Sequence, residues 1–280
     1  MDKQIIDQFI KNAVAEDLGD GDHTSLSTIP ANAQGKAKLL IKEDGIIAGV
    51  ELAVAIFNYI DAQLITEVMI TDGAEVKYGD IALTVSGSTH SILLAERLVL
   101  NCMQRMSGIA TKTNRIVKSL ATYSTKLLDT RKTTPGLRYL EKWAVRIGGG
   151  VNHRIGLYDM ILIKDNHVDY AGGISNAINA ANQYLTDKGK KLQIEIEVRN
   201  LSELNDVLTT GGVDRIMLDN FSFADLKAAV STIDGRFITE ASGGITEENV
   251  IEYAACGVDF ISMGALTHSV KSLDMSLKAC

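Results

Sequence analysis

Six short apolar segments in the second half of the chain end in residues that could do chemistry. The segments are KLLD (126–129), DMILIK (159–164), QIEIEV (193–198), DRIMLD (214–219), RFITE (236–240) and DFISMG (259–264). Cations, carboxylates, amides and glycines stand at or directly after their ends. Active sites of parallel α/β folds form at the carboxyl ends of strands. Solvated loops would place charges equally at the strand starts, so the pattern favours an active site.

Cationic side chains are concentrated in one part of this acidic chain, whose formal net charge is −7. Between positions 131 and 164 they include Arg131, Lys132, Arg138, Arg146, His153, Arg154 and Lys164. If these side chains converge, they form a positive site for a multiply charged anion. Arginine binds carboxylate and phosphate through paired hydrogen bonds, whereas lysine acts as a point charge. Arg131 and Lys132 directly follow a strand and are the stronger candidates, while Arg138 and Arg146 are expected to be surface charges or to serve helix packing.

Two carboxylates, Glu195 and Glu197, stand two residues apart in the third apolar segment. Alternate residues of a strand face the same side, so both are expected to point into a barrel while the aliphatic residues face the helices. Buried carboxylates need a cation or a metal as partner. Together with Asp219 at the next strand end, they offer oxygen ligands that suit Mg²⁺, which also binds substrate phosphates. An edge strand with its polar face in water is the alternative.

Glycines follow the fifth and sixth apolar segments. Ser242, Gly243 and Gly244 precede TEENVIEYAA, which is predicted to be a helix capped by Thr246 or by the serine. Backbone N–H groups at a helix start bind phosphate, and glycine allows close approach. Gly264 and Ala265 are predicted to form a second phosphate-binding patch, because late βα loops of barrels often hold phosphate. The triple glycine at 148–150 is interpreted as a flexible turn.

The elements that must position these residues fall into two groups. In the first third, a helix over 3–14 precedes strands in KAKLLIK, AQLITEVMI and DIALTVSG, with a helix near 50–60, which predicts an open antiparallel sheet. Two helices separated by a break at Ser107-Gly108 are predicted between 91 and 120. The later alternation of strand and helix predicts parallel βαβ units. Six units are too few for an eight-fold barrel, so a shorter, irregular α/β barrel or an open sheet is expected.

Composition excludes several classes of protein. The chain has 280 residues, enough for one large or two moderate domains. Its acidic balance argues against a nucleic-acid binder. The three cysteines are far apart without metal-type spacing, which favours a reducing cytosol. The N-terminus lacks a secretory apolar core, and no segment is long and apolar enough to span a bilayer, so we expect a cytoplasmic protein.

Seven sequence motifs occur in the order found in a known enzyme family. They are DTRKTTPGLR (129–138), GGGVNHRIGL (148–157), LIKDNH (162–167), EIEVRN (195–200), LDNF (218–221), SGGI (242–245) and GALTHS (264–269). Together they closely resemble the quinolinate phosphoribosyltransferases, also called carboxylating nicotinate-nucleotide diphosphorylases. The resemblance extends from the acidic loop near 16–24 to the C-terminus. It implies transfer of phosphoribosyl from phosphoribosyl pyrophosphate to quinolinate, with loss of carbon dioxide, in NAD biosynthesis.

The resemblance also implies an architecture. It predicts an N-terminal open α/β sandwich over residues 1–110, rejoined by 266–280, and a short α/β barrel over 111–265, of the type II phosphoribosyltransferase kind. It further implies a homodimer in which the sandwich of one subunit covers the barrel mouth of the other. Arg97 resembles the arginine that reaches the partner's active site, although residue patterns alone place it on a helix surface.

Site roles follow from the matched motifs. Quinolinate's two carboxylates would be held by Arg131, His153, Arg154 and Lys164, with Arg97 of the neighbouring subunit. Lys132 and Lys164 would face phosphoribosyl pyrophosphate, and Glu197 and Asp219 would work with Mg²⁺. Ser242, Gly243, Gly244, Gly264 and Ala265 would bind phosphate, and Glu195 would lie behind Glu197. Catalysis would rest on positioning and electrostatics, without a covalent nucleophile.

Three alternatives remain open on the sequence. Relatives encoded with molybdenum-transport genes share a TRKT-like string and take a different acceptor. A Schiff-base aldolase would use Lys164 as its nucleophile. A small-molecule sensor would bind quinolinate without turnover. The five histidines have no paired ligand spacing, which argues against a zinc site.

Overall fold

The structure, a computed structural model, describes residues 3–280. Its helices are α1 (Lys3–Leu18), α2 (His23–Thr28), α3 (Val50–Ile60), α4 (Thr89–Ser119), α5 (Arg138–Ile147), α6 (Asp165–Ala171), α7 (Ile174–Lys188), α8 (Leu201–Thr210), α9 (Phe223–Ile233), α10 (Val250–Ala254) and α11 (Ala265–His268). Its strands are β1 (Gln34–Ile41), β2 (Gly45–Ile46), β3 (Ile65–Val68), β4 (Glu75–Val76), β5 (Ile81–Ser88), β6 (Lys126–Leu128), β7 (Ile161–Ile163), β8 (Ile194–Val198), β9 (Arg215–Asp219), β10 (Ile238–Ser242), β11 (Phe260–Ser262) and β12 (Met275–Ala279).

The chain divides into two compact units. The first unit comprises residues 1–114, 134–149 and 269–280, and the second comprises 115–133 and 150–268. The predicted domain boundary puts residues 134–149 in the C-terminal domain, but this segment, which carries α5, belongs to the first unit. Each unit has its own sheet.

The first unit contains a four-stranded antiparallel sheet in the order β12-β1-β5-β3. Alternate residues of β1, including Leu39 and Ile41, are fully buried, as expected for a sheet covered on one face. Leu39 lies opposite Leu277 of β12 and Leu83 of β5, so the C-terminal strand completes this sheet. Helix α3 buries the apolar face that includes Phe57. The antiparallel sheet predicted for the first third is therefore confirmed.

Helix α4 corrects one prediction, because it continues through Ser107 and Gly108 without the expected break. The Ser107 hydroxyl accepts a hydrogen bond from the Ala48 amide at 2.8 Å and donates to the Ala48 carbonyl at 3.1 Å. A Cβ at Gly108 would lie 2.2 Å from the carbonyl oxygen of Lys271. The serine and glycine therefore serve close packing on the helix surface, which a local propensity rule cannot detect.

The second unit contains a six-stranded parallel sheet in the order β6-β11-β10-β9-β8-β7. All six predicted strands form, with ends displaced by a few residues from the predicted bounds. Helices follow most of the strands, as in right-handed βαβ units. Every residue of β8 is buried, so the strand is covered on both faces. The α/β fold class, an antiparallel layer followed by a short parallel barrel-type sheet, is confirmed. No helix within residues 3–280 is long and apolar enough to cross a membrane.

Candidate active site

The loop after β6 carries Arg131 and Lys132, both exposed. The Thr267 hydroxyl donates to the Lys132 carbonyl at 2.8 Å, and the Lys132 amide donates to the Thr130 hydroxyl at 3.0 Å. A Cβ at Gly264 would lie 2.9 Å from Lys132 Cδ, so glycine leaves room for the lysine stem. The GALTHS motif thus supports the loop that carries the two cations.

Arg131 and Arg154 both belong to the second unit, and the positive charge of Arg131 acts on Arg154. Burial, and then the positive charge of Arg131, lower the pKa of Arg154. Arg154 Nη1 also donates to the Met160 carbonyl at 3.2 Å, which fixes the guanidinium. Two like charges raise each other's energy, and a bound anion relieves that repulsion. The arrangement therefore favours an anionic ligand with at least two charges.

Lys164 lies at the end of β7 and forms an ion pair with Glu197 of β8. Lys164 Nζ is 2.8 Å from Glu197 Oε2, and the lysine side chain is 47% exposed while the glutamate side chain is 8% exposed. The His167 ring accepts a hydrogen bond from the Lys164 amide through Nδ1 at 3.0 Å. His167 itself is exposed, so it positions Lys164 rather than filling the core.

His153 is buried in the second unit together with the carboxylates of Glu195 and Glu240. Its Nε2 lies 2.8 Å from Glu195 Oε2 and 3.5 Å from Glu240 Oε2, and both glutamates are fully buried. The amide of Arg154 donates to His153 Nδ1 at 2.8 Å. The amide of His153 donates to Asp129 at 2.9 Å, which ties the segment to the end of β6.

Burial and charge act in opposite directions in this cluster. Burial, followed by the charge of Glu240, raises the pKa of Glu195 to about 7. Burial lowers the pKa of His153, but hydrogen bonds to the two carboxylates and their charges raise it to about 9. The Arg154 amide opposes protonation of the ring, because it points at the nitrogen that the second proton would occupy. Glu195 and His153 therefore compete for one proton.

Two groups of side chains have the composition of cation sites. Ligand atoms of His153, Glu195 and Glu240 lie within 4.8 Å of one another. Since His153 Nδ1 accepts the Arg154 amide, the neutral ring carries its proton on Nε2, and that nitrogen has no lone pair for a metal. Glu197 and Asp219 instead end adjacent strands and offer carboxylate oxygens. These are the ligands that Mg²⁺ takes together with water and phosphate.

The glycine loop after β10 is positioned differently from its prediction. Helix α10 begins at Val250, after an Asn249 cap, rather than near Thr246. Asn249 Oδ1 accepts the Thr246 amide at 2.8 Å, so a turn precedes the helix. The Ser242-Gly243-Gly244 loop is consequently separated from the helix start, and α10 has only five residues.

The conformation of this loop still requires glycine. Gly243 has φ +90°, and a Cβ there would lie 2.2 Å from the Asn220 side chain. Asn220 itself adopts φ 56° and donates to Asp219 at 2.6 Å. The backbone amide of Asn220 donates to the Ser242 carbonyl at 2.8 Å. The ends of β9 and β10 thus form one packed edge that includes Asp219.

The remaining residues predicted from the sequence lie at the end of β11 and on α11, α4 and α5. Gly264 and Ala265 stand at the end of β11 and the start of α11. Arg97 is exposed on α4 in the first unit and lines a cavity of about 400 Å³ between α1, α4 and α5. Arg138 and Arg146 lie on α5, also in the first unit.

The roles of four residues were not predicted from the sequence: Asp129, Glu240, Arg215 and Thr267. Asp129 and Glu240 each end an apolar segment, so their positions carried a signal. Their partners come from other strands: Asp129 accepts the amide of His153, and Glu240 lies 3.1 Å from Arg215. Arg215 begins a strand, where no active-site residue was expected. Strand register alone brings these groups together.

Comparison with known proteins gives a consistent result. Two family models match the chain: the N-terminal domain of quinolinate phosphoribosyl transferase over residues 22–107, and the C-terminal domain over residues 109–278. A nicotinate-nucleotide pyrophosphorylase [carboxylating] of Arabidopsis thaliana is 50% identical over 96% of this chain and 81% of its own length. Quinolinate phosphoribosyltransferase [decarboxylating] 1b of Nicotiana tabacum is 49% identical with the same coverage.

A solved structure agrees with these relatives. The nicotinate-nucleotide pyrophosphorylase of Francisella tularensis superposes with a TM-score of 0.93 at 39% identity. The match covers 100% of this chain and 98% of the other.

Proposed function

The chain belongs to the quinolinate phosphoribosyltransferase family, and we propose that it converts quinolinate and phosphoribosyl pyrophosphate to nicotinate mononucleotide, pyrophosphate and carbon dioxide, a step of NAD biosynthesis. The observation that carries this proposal is the Lys164–Glu197 ion pair at the carboxyl ends of the adjacent strands β7 and β8, with 2.8 Å between Lys164 Nζ and Glu197 Oε2. Arg131 and Arg154 lie in the same unit and supply two further positive charges.

The cations bind and orient the pyridine. Arg131 and Arg154 hold its two carboxylates through paired hydrogen bonds, and Lys164 adds a point charge. His153 stands directly behind Arg154, with its ring nitrogens turned to Glu195 and to the Arg154 amide. Lys132 faces the phosphoribosyl pyrophosphate from the loop that Thr267 supports.

The transfer step exchanges one bond for another. The pyridine nitrogen attacks the anomeric carbon of the ribose, and the bond from that carbon to the pyrophosphate oxygen breaks with its electron pair. Positive charge develops on the ribose, and the carboxylates of Glu197 and Asp219 stabilise it. The lysines neutralise the departing pyrophosphate, while Ser242, Gly243, Gly244, Gly264 and Ala265 contact phosphate. No covalent enzyme intermediate is needed, because binding both reactants supplies proximity.

Mg²⁺ fits the donor set of Glu197 and Asp219, which would hold it directly or through water. When bound, it supplies positive charge that offsets the charge of pyrophosphate. Glu197 already faces a cation in Lys164, which supports a site built to balance several charges.

Decarboxylation follows from the charge created by the transfer. The ring nitrogen of the new nucleotide is positive, so the bond to the neighbouring carboxylate can break and leave its electron pair on the ring carbon. That carbon then takes up a proton, and carbon dioxide departs. The arginines hold the second carboxylate, which remains in the product.

We also propose a homodimer in which Arg97 reaches the active site of the other subunit, and a cytoplasmic location. Arg97 is exposed on α4 beside a cavity, so it is available for a contact outside its own unit. Chemical cross-linking, sedimentation and complementation between Arg97→Ala and Arg131→Ala subunits test the dimer. Activity restored on mixing the two variants would support a shared site, and inactive mixed dimers would contradict it.

A Schiff-base aldolase receives no support from the geometry. Attack on a carbonyl requires the neutral amine of Lys164. Lys164 Nζ instead forms an ion pair with Glu197 Oε2 at 2.8 Å, so the amine already has a carboxylate as its partner. The family membership points the same way.

The function is tested by incubating the purified protein with quinolinate, phosphoribosyl pyrophosphate and Mg²⁺. Nicotinate mononucleotide is followed by absorbance and mass, with nicotinate as the control acceptor. We expect product from quinolinate only, and its loss in Arg131→Ala. A folded protein that forms no product would contradict the proposal and direct attention to the acceptors of the molybdenum-linked relatives.

A further inference from the structure

We propose that Glu240 and Arg215 are positioning residues, a buried pair that orients His153 and, through it, Arg154 for the carboxylates of quinolinate. The proposal rests on the proposed function for the identity of the ligand. Its structural basis is a series of hydrogen bonds and ion-pair contacts within the second unit.

The first contact of this series is made by Arg215, at the amino end of β9. Its Nη1 donates to Glu240 Oε2 at 3.1 Å, and its side chain is only 12% exposed. The guanidinium carbon also lies 4.6 Å from the centre of the Phe260 ring, which limits its movement. Arg215 therefore presents a fixed positive charge to a fully buried carboxylate.

Glu240, held by Arg215, in turn contacts His153. Its Oε2 lies 3.5 Å from His153 Nε2, while Glu195 Oε2 lies 2.8 Å from the same nitrogen. Two carboxylates facing one imidazole in a dry interior would repel one another without a further cation. Arg215 supplies that cation, so both carboxylates can be buried beside His153.

His153 links these buried side chains to Arg154, the residue proposed to bind quinolinate. Its Nδ1 accepts the Arg154 amide at 2.8 Å, and its own amide is held by Asp129 at 2.9 Å. The backbone that carries Arg154 is thus fixed from the interior, while Arg154 Nη1 is fixed by the Met160 carbonyl. Rotation of the ring would release the Arg154 amide and displace the guanidinium.

The kinetic test compares variants that keep side-chain size. Glu240→Gln should raise the KM for quinolinate by about tenfold or more and change the KM for phosphoribosyl pyrophosphate by less than about twofold. Arg215→Gln should have a larger effect, because it leaves two carboxylates without their cation. The double variant should recover part of that loss, and Arg215→Lys should recover more. Glu252→Gln, an exposed acid on α10, is the matched control and should leave both constants unchanged.

A second measurement does not depend on turnover. Nitrogen-15 NMR of the imidazoles, with the His153 signals assigned by their loss in His153→Asn, reports which ring nitrogen carries a proton. We expect an N–H signal from Nε2 and an unprotonated signal from Nδ1 in the wild-type protein. A proton on Nδ1, with or without one on Nε2, would overturn the link to Arg154.

The two measurements separate this proposal from the function. If wild-type protein converted no quinolinate, the proposed function would fail. The nitrogen-15 signals would still show whether His153 Nδ1 accepts the Arg154 amide. If wild-type were active but Glu240→Gln changed both KM values equally or neither, Glu240 would have no positioning role. Should Glu240→Gln fail to fold, the Arg215→Lys kinetics and the wild-type NMR decide the question.

Discussion

Lys164 Nζ lies 2.8 Å from Glu197 Oε2, and this ion pair joins the ends of β7 and β8. It connects a residue expected to bind quinolinate with one expected to act on the ribose and Mg²⁺. Removing the lysine leaves the carboxylate without its cation and the reacting anions without a positive charge.

We therefore expect Lys164→Ala to lower kcat/KM by about 100-fold or more, the scale of losing one electrostatic contact to a transition state. Steady-state kinetics with both substrates measures the loss. Lys190→Ala, an exposed lysine beyond α7, should change kcat/KM by less than about twofold. Wild-type kinetics in the Lys164→Ala enzyme would contradict a role for this ion pair in the active site.

Thr267→Val tests the support of Lys132, because it keeps the side-chain shape but removes the hydroxyl that donates to the Lys132 carbonyl. A typical intramolecular hydrogen bond contributes about 0.5–1.5 kcal/mol, and we expect the free energy of unfolding to fall by that amount. The KM for phosphoribosyl pyrophosphate should also rise. Thr267→Ser retains the donor and should restore both quantities. Equal behaviour of the valine and serine variants in denaturant titration and kinetics would argue against this role.

Gly108→Ala tests the continuous helix α4. Helix propensity alone favours alanine by about 1 kcal/mol, yet the new methyl would meet the Lys271 carbonyl at 2.2 Å. We expect a net loss of about 1–3 kcal/mol in unfolding free energy, the range of overpacked sites. Denaturant unfolding measures it, with Asn101→Ala on the exposed face of the same helix as the control. A stabilised Gly108→Ala protein would show that the contact with Lys271 does not form.

Cysteine reactivity should follow burial. Cys280 is exposed, whereas Cys102 and Cys256 are buried, and burial raises the pKa of Cys102 to about 12. The thiolate is the reactive form, so at pH 8 the native protein should be alkylated at Cys280 alone. Raising the pH from 7 to 9 should still leave Cys102 unlabelled. Peptide mass spectrometry after iodoacetamide treatment, repeated in denaturant, measures this. Rapid native labelling of Cys102 would contradict its buried placement.

The sequence by itself determined the type and order of the main elements. Apolar runs ending in charged residues predicted the six parallel strands, and the Glu195/Glu197 spacing predicted two inward carboxylates, because side chains alternate along a strand. The ordered motifs determined the family. Local patterns failed where contacts distant in sequence decide the outcome. Gly108 resembles a break until Lys271 packs against it, and α10 begins late because Asn249 closes a turn first.

Only the tertiary structure decided which charges face one another. Glu195 and Glu197 look equivalent in sequence, yet one meets His153 and the other meets Lys164. Arg215 begins β9 and Glu240 lies in the middle of the neighbouring strand β10, and register in the sheet brings them to 3.1 Å. Residue type sets what a side chain can do. Its partner depends on strand order and register, which no short stretch of sequence contains.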